Sequence, residues 1–181
     1  LTEKRLPELR IHEILPSGDM SISPQFIGVL SKISSVFETP DDAFSTIGNE
    51  ALRSILEETD PTLVGYLKEG KEKLDGDPGF FVLKRTGIDH LKLPLAQFTA
   101  IAVSSFFGLP TKPSPRSQVI AWPIDYTAET GTPGVTFSQT NSEATMHTDT
   151  QYSPEPEPYF GLFCLRPAND GGGCRSSLIA K

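Results

Sequence analysis

The hydrophobic period of this chain changes at the turn cluster Asp75-Gly76-Asp77-Pro78-Gly79. That change limits the folds open to it, because helical and strand periods demand different partners for their apolar faces. Before the cluster, apolar residues recur at three- and four-residue spacing. After Pro24 they are Phe26, Val29, Leu30, Ile33, Val36 and Phe37, with Ser23 set to cap the helix and Pro24 at its first position. A second stripe joins Phe44, Ile47, Ala51, Leu52, Ile55 and Leu56 and ends at Asp60-Pro61; a third runs through Leu63, Tyr66, Leu67 and Leu74.

Beyond the cluster, Phe80-Phe81-Val82-Leu83 is a short apolar run between turn signals, which predicts a buried strand. Helical spacing returns through Leu95, Phe98, Ile101, Ala102 and Phe106, with Gly108 and Pro110 as its stop. An extended connector with prolines at 113 and 115 leads to a predicted strand, Val119-Ile120-Ala121-Trp122-Pro123-Ile124. Residues 127–134 read either as a flap or as a plain connector. A stiff acidic linker, Ser153-Pro154-Glu155-Pro156-Glu157-Pro158, precedes a last strand from Tyr159 to Leu165. Helices first and separated strands later predict an α+β protein, with helices on one side of a mainly antiparallel sheet or barrel. Neither G-x-G-x-x-G nor G-x-x-x-x-G-K-[ST] occurs, which argues against a doubly wound nucleotide-binding fold.

Composition narrows the function classes. The net charge is −7 and the sixteen Lys and Arg are scattered, so the basic stripe that nucleic acid requires is missing. Two cysteines, Cys164 and Cys174, make no disulfide framework, and Cys164 reads as a buried thiol. No apolar run approaches the ~20 residues of a membrane span. The opening residues lack a signal-peptide core, so a cytoplasmic setting is the expectation.

Three histidines occur: His12, His90 and His147. His12, in a polar segment, and His90, in a turn, read as solvated. His147 differs, because Asp149 stands two residues on in Met146-His147-Thr148-Asp149-Thr150. Side chains at i and i+2 of a strand share a face, so a neutral nitrogen and an anionic oxygen would lie side by side. These are two corners of the 2-His-1-carboxylate triad of non-haem Fe(II) oxygenases. The tripeptide alone is a weak signal, since an exposed polar strand yields the same pattern.

Its surroundings carry more. Downstream stand Pro158-Tyr159-Phe160-Gly161-Leu162-Phe163-Cys164-Leu165-Arg166-Pro167 and Asp170-Gly171-Gly172-Gly173-Cys174-Arg175-Ser176-Ser177-Leu178-Ile179-Ala180. In order and spacing, the block from 138 to 180 resembles the core of the Fe(II)/2-oxoglutarate-dependent oxygenases of the taurine dioxygenase and clavaminate synthase-like superfamily. More loosely, Gly79-Phe80-Phe81-Val82-Leu83-Lys84 resembles the family's first core strand, and Phe106-Phe107-Gly108-Leu109-Pro110 the end of the helix after it. The helical preface and the strand near Gln118 to Trp122 look most like the amino-acid hydroxylases of specialised metabolism.

The resemblance implies a double-stranded β-helix, a jelly-roll and cupin-like core, with residues 1–78 as the helical preface and 79–181 as the first part of that core. It implies His147 and Asp149 as iron ligands, with 2-oxoglutarate and O₂ at the open positions. Ser177 would place its hydroxyl near the 2-oxoglutarate carboxylate; Ser176 is the alternative, because the glycine turn is longer here than in the family. Gln139, Glu143 and Thr150 flank the metal strand as substrate contacts. Glu143 either pairs with an ammonium or guanidinium group or is a solvated loop carboxylate. The retained Asp149 favours hydroxylation or desaturation over halogenation, on a small-molecule substrate such as a free or carrier-bound amino acid. In the family a distal histidine and a clamp arginine come later. No histidine follows His147, so the expectation is a single oxygenase domain, 1–181, whose C-terminal core lies outside this chain. The competing expectation is a cupin-like binding or regulatory module, or an inactive fragment, lacking the third ligand.

Overall fold

A computed structural model describes residues 21–77, 79–110, 154, 158–163 and the strand backbone of 176–180. The chain divides into two compact units, residues 1–110 with 159–181, and 111–158. All the regular elements described belong to the first unit.

Among the described residues it has five helices and three strands: α1 (Pro24–Ser34), α2 (Pro40–Ile47), α3 (Asn49–Thr59), α4 (Pro61–Asp75), β1 (Phe80–Lys84), α5 (Leu93–Ser104), β2 (Phe160–Leu162) and β3 (Ser176–Ala180). A short 3-10 turn, Ile88–His90, lies between β1 and α5. Local chemistry sets most boundaries. The Ser23 hydroxyl accepts the Phe26 N–H at 3.0 Å and Pro24 opens α1, as the sequence predicts. Thr39 caps α2 in the same way, accepting the Asp42 N–H at 3.1 Å ahead of Pro40. Pairing proline with a capping side chain leaves fewer helix-start N–H groups unsatisfied.

Three boundaries differ from the sequence reading. The first stripe overruns its helix: α1 stops at Ser34, and Val36 beyond it is 78% exposed. The second stripe is split at Gly48, whose φ of 83° and ψ of 159° cannot continue a helix. Such a conformation is nearly confined to glycine, so one apolar period spans two helices. The third difference is α5, which ends at Ser104, four residues before Gly108.

The core forms around α5, whose residues from Ala96 to Val103 are all buried. Helices α1, α2 and α3 pack against it, which removes the amphipathic contrast that a surface helix shows. The buried hydroxyls of the helix and its C-cap are satisfied locally: Thr99 donates to the Leu95 carbonyl at 2.7 Å and the cap residue Ser105 to that of Ala102 at 2.6 Å. Phe26, Leu30, Leu52, Leu56, Leu67, Leu74, Phe81 and Phe98 are fully buried.

The strands make one sheet in the order β1-β3-β2, antiparallel at both junctions. Phe81 pairs with Ile179 and Leu83 with Ser177, while Val82 pairs with Leu178 and Lys84 with Ser176. On the other side, Phe160, Gly161 and Leu162 pair with Ala180, Ile179 and Leu178. The strand expected from Tyr159 to Leu165 is regular over Phe160–Leu162; positions 164 and 165 lie outside the described residues. The strand expected at 119–124 and the loop at 127–134 lie outside them as well.

Candidate functional site

Of the residues singled out in the sequence, His147, Asp149, Gln139, Glu143, Thr150 and His12 lie outside the described residues. Ser176 and Ser177 lie within them, at the start of β3. This strand occupies the centre of the sheet, hydrogen-bonded to β1 on one side and β2 on the other.

The register assigns the two serine positions to opposite faces. Partners in an antiparallel ladder share a face, and successive residues alternate. Position 177 pairs with Leu83 and so belongs with Phe81 and Leu83. That face packs on the helices: a Cβ placed on Gly70 of α4 would stand 2.6 Å from the Phe81 ring, and Leu83 borders Leu63 and Val103 in a small apolar pocket. Position 176 pairs with Lys84 and belongs to the other face, with Val82, Leu162 and Phe160. There Phe160 is 43% and Leu162 59% exposed.

The end of β2 nearest α4 is tied down by side chains. The Tyr159 hydroxyl donates to Asp75 Oδ1 at 2.6 Å and accepts from Lys71 Nζ at 3.0 Å. Lys71 also pairs with Asp75 Oδ2 at 2.8 Å, and its ammonium lies 4.8 Å from the centre of the Tyr159 ring. The hydrogen bond to Asp75, then the one to Tyr159, hold the Lys71 pKa above the ordinary lysine value. A raised lysine pKa leaves this contribution intact at neutral pH, and it is lost only as pH rises through the strongly alkaline range. Sequence reasoning missed this cluster. The i,i+4 spacing of Lys71 and Asp75 was visible, but nothing marked Tyr159 as their partner.

His90 is solvated, as expected, with its side chain 85% exposed and 3.8 Å from Asp89. Among the described residues, no group of three or more His, Cys, Asp or Glu could hold a metal ion. No helix among them is long and apolar enough to cross a membrane. Comparison with protein-family models, with curated proteins and with solved structures found no match.

Proposed function

We propose that this protein is an Fe(II)/2-oxoglutarate-dependent oxygenase that hydroxylates, or desaturates, a C–H bond of a small amino-acid-like molecule. The observation that carries the reading is the ordered block of His147-Thr148-Asp149, the apolar run through Cys164-Leu165-Arg166, the triple-glycine turn and Ser176-Ser177. An antiparallel sheet with helices on one face, and the serine-bearing strand at its centre, supports a double-stranded β-helix as the parent fold.

In this reading His147 and Asp149 hold the iron, a neutral imidazole nitrogen and a carboxylate oxygen being donors that suit Fe(II) with open positions. When bound, Fe(II) supplies the coupling of C–H oxidation by O₂ to decarboxylation of 2-oxoglutarate to succinate and CO₂. The chain's own share is ligation, orientation and exclusion of water. One of Ser176 and Ser177 donates to the 2-oxoglutarate carboxylate, and Gln139, Glu143 and Thr150 contact the substrate. A second reading is a cupin-like binding module that uses the same residues without turnover.

Anaerobic Fe(II) titration of the intact protein, with succinate release as the second readout, tests both. The expected result is iron binding weakened at least ~10-fold by His147→Ala or Asp149→Ala. Binding should also weaken as pH falls, because protons compete with the metal for the imidazole nitrogen. Iron affinity unchanged in both variants, with no succinate formed, would sink the oxygenase reading. Iron and 2-oxoglutarate binding without succinate from any candidate amino acid would favour the binding module.

A further inference from the structure

We infer that Lys71, Asp75 and Tyr159 form a clasp that positions the proposed co-substrate strand β3 through its neighbour β2. The inference rests on the reading of β3 as the 2-oxoglutarate strand.

Among the described residues, little else holds β2. It has three residues, all exposed, and three register pairs to β3. A strand so short and so lightly buried gains little from apolar burial and opens readily. Immediately before it, the Tyr159 hydroxyl is both donor to Asp75 and acceptor from Lys71, while the Lys71 ammonium also bonds Asp75. Each of these bonds involves a charged group, which makes them the stronger kind. The ammonium beside the ring adds a cation–π contact. The clasp spans 84 residues of sequence from Asp75 and 88 from Lys71, so it is a tertiary restraint and not a local turn.

What the clasp grips is rigid. Helix α4 is anchored by the buried Leu63, Leu67 and Leu74, and at Gly70 it lies directly against the ring of Phe81 in β1. The same helix therefore sets the position of both strands that flank β3. It holds β1 by close packing at Gly70 and β2 by the polar clasp at Lys71, the next residue, and Asp75, one turn beyond that. Release of the clasp removes one of the two references that locate β3 at positions 178 to 180, and through the continuous strand it loosens positions 176 and 177, which pair with β1. Lys71, Asp75 and Tyr159 are positioning residues in this scheme.

Tyr159→Phe tests the idea with minimal disturbance, because it keeps the ring and removes only the hydroxyl. Hydrogen exchange on the intact protein should show the β2–β3 amides exchanging about 5- to 10-fold faster, with those of α1 to α5 unchanged. In the presence of saturating Fe(II), the dissociation constant for 2-oxoglutarate should rise by a similar factor while iron affinity stays the same. Lys71→Arg, which keeps a cationic donor, should stay close to wild type in both readouts, whereas Lys71→Met should reproduce the changes seen in Tyr159→Phe. Unchanged β2–β3 exchange in Tyr159→Phe overturns the clasp. Faster exchange with unaltered 2-oxoglutarate affinity overturns the positioning role. Wild-type protein that binds no 2-oxoglutarate, but whose strand exchange still responds to Tyr159→Phe, locates the failure in the oxygenase reading.

Discussion

Gly70 sits in the middle of α4, where glycine costs about 1 kcal/mol against alanine in helix propensity. Its reason lies across the interface. A Cβ there would stand 2.6 to 2.8 Å from three ring atoms of Phe81, which is fully buried and has little room to retreat. Gly70→Ala should therefore destabilise the protein despite its better propensity. Overpacking of ~1–3 kcal/mol exceeds the propensity gain, and a fall in the urea midpoint would show it; a rise would mean that Phe81 repacks freely. Ser23 is the opposite case, because cap, proline and stripe are adjacent in sequence and the hydrogen bond follows from them. Gly70 was illegible in the sequence, where nothing distinguishes a glycine that admits a ring from one that merely weakens a helix.

Helices α1, α3 and α4 meet at one carboxylate. Asp60 is 4% exposed; its Oδ1 accepts the Leu63 N–H at 3.0 Å, capping α4, and its Oδ2 accepts the Ser23 N–H at 2.7 Å. Ser23 in turn donates its hydroxyl to the Thr59 carbonyl at 2.9 Å, at the end of α3. The sequence reading saw Asp60-Pro61 as a stop. The structure makes it a joint, because the same carboxylate satisfies donors from two helix starts. Asp60→Ala should cost about 2–4 kcal/mol, combining a lost cap with an orphaned Ser23 amide. Chemical denaturation measures this, and a loss under about 1 kcal/mol would show that water replaces the carboxylate. The helices themselves were legible from their stripes. Some of their ends were not, since Val36 continues the apolar period into solvent and the break at Gly48 is a matter of backbone angle.

At the scale of the molecule, the two candidate co-substrate serines become exclusive alternatives. Positions 176 and 177 fall on opposite faces of β3, one paired with Lys84 and the other with Leu83. A single ligand can reach only one face, so one alanine substitution should weaken 2-oxoglutarate binding by about 10- to 100-fold, the loss of one hydrogen bond to a charged group, and the other should leave it nearly unchanged. Equal weakening by both would contradict the register. By itself, the sequence determined the apolar stripes of α1 to α4, the strand at Phe80–Lys84 and the chemical types in the His147–Asp149 and Ser176–Ser177 motifs, because these depend on neighbours within a few residues. The tertiary structure alone decided that β3 lies between β1 and β2, that the two serine positions part to different faces, and that Tyr159 is held by Lys71 and Asp75. Apart from the nearer pairing of β2 with β3, those facts depend on contacts across some eighty to a hundred residues, where the free energy comes from contacts between segments and local spacing carries no record of them.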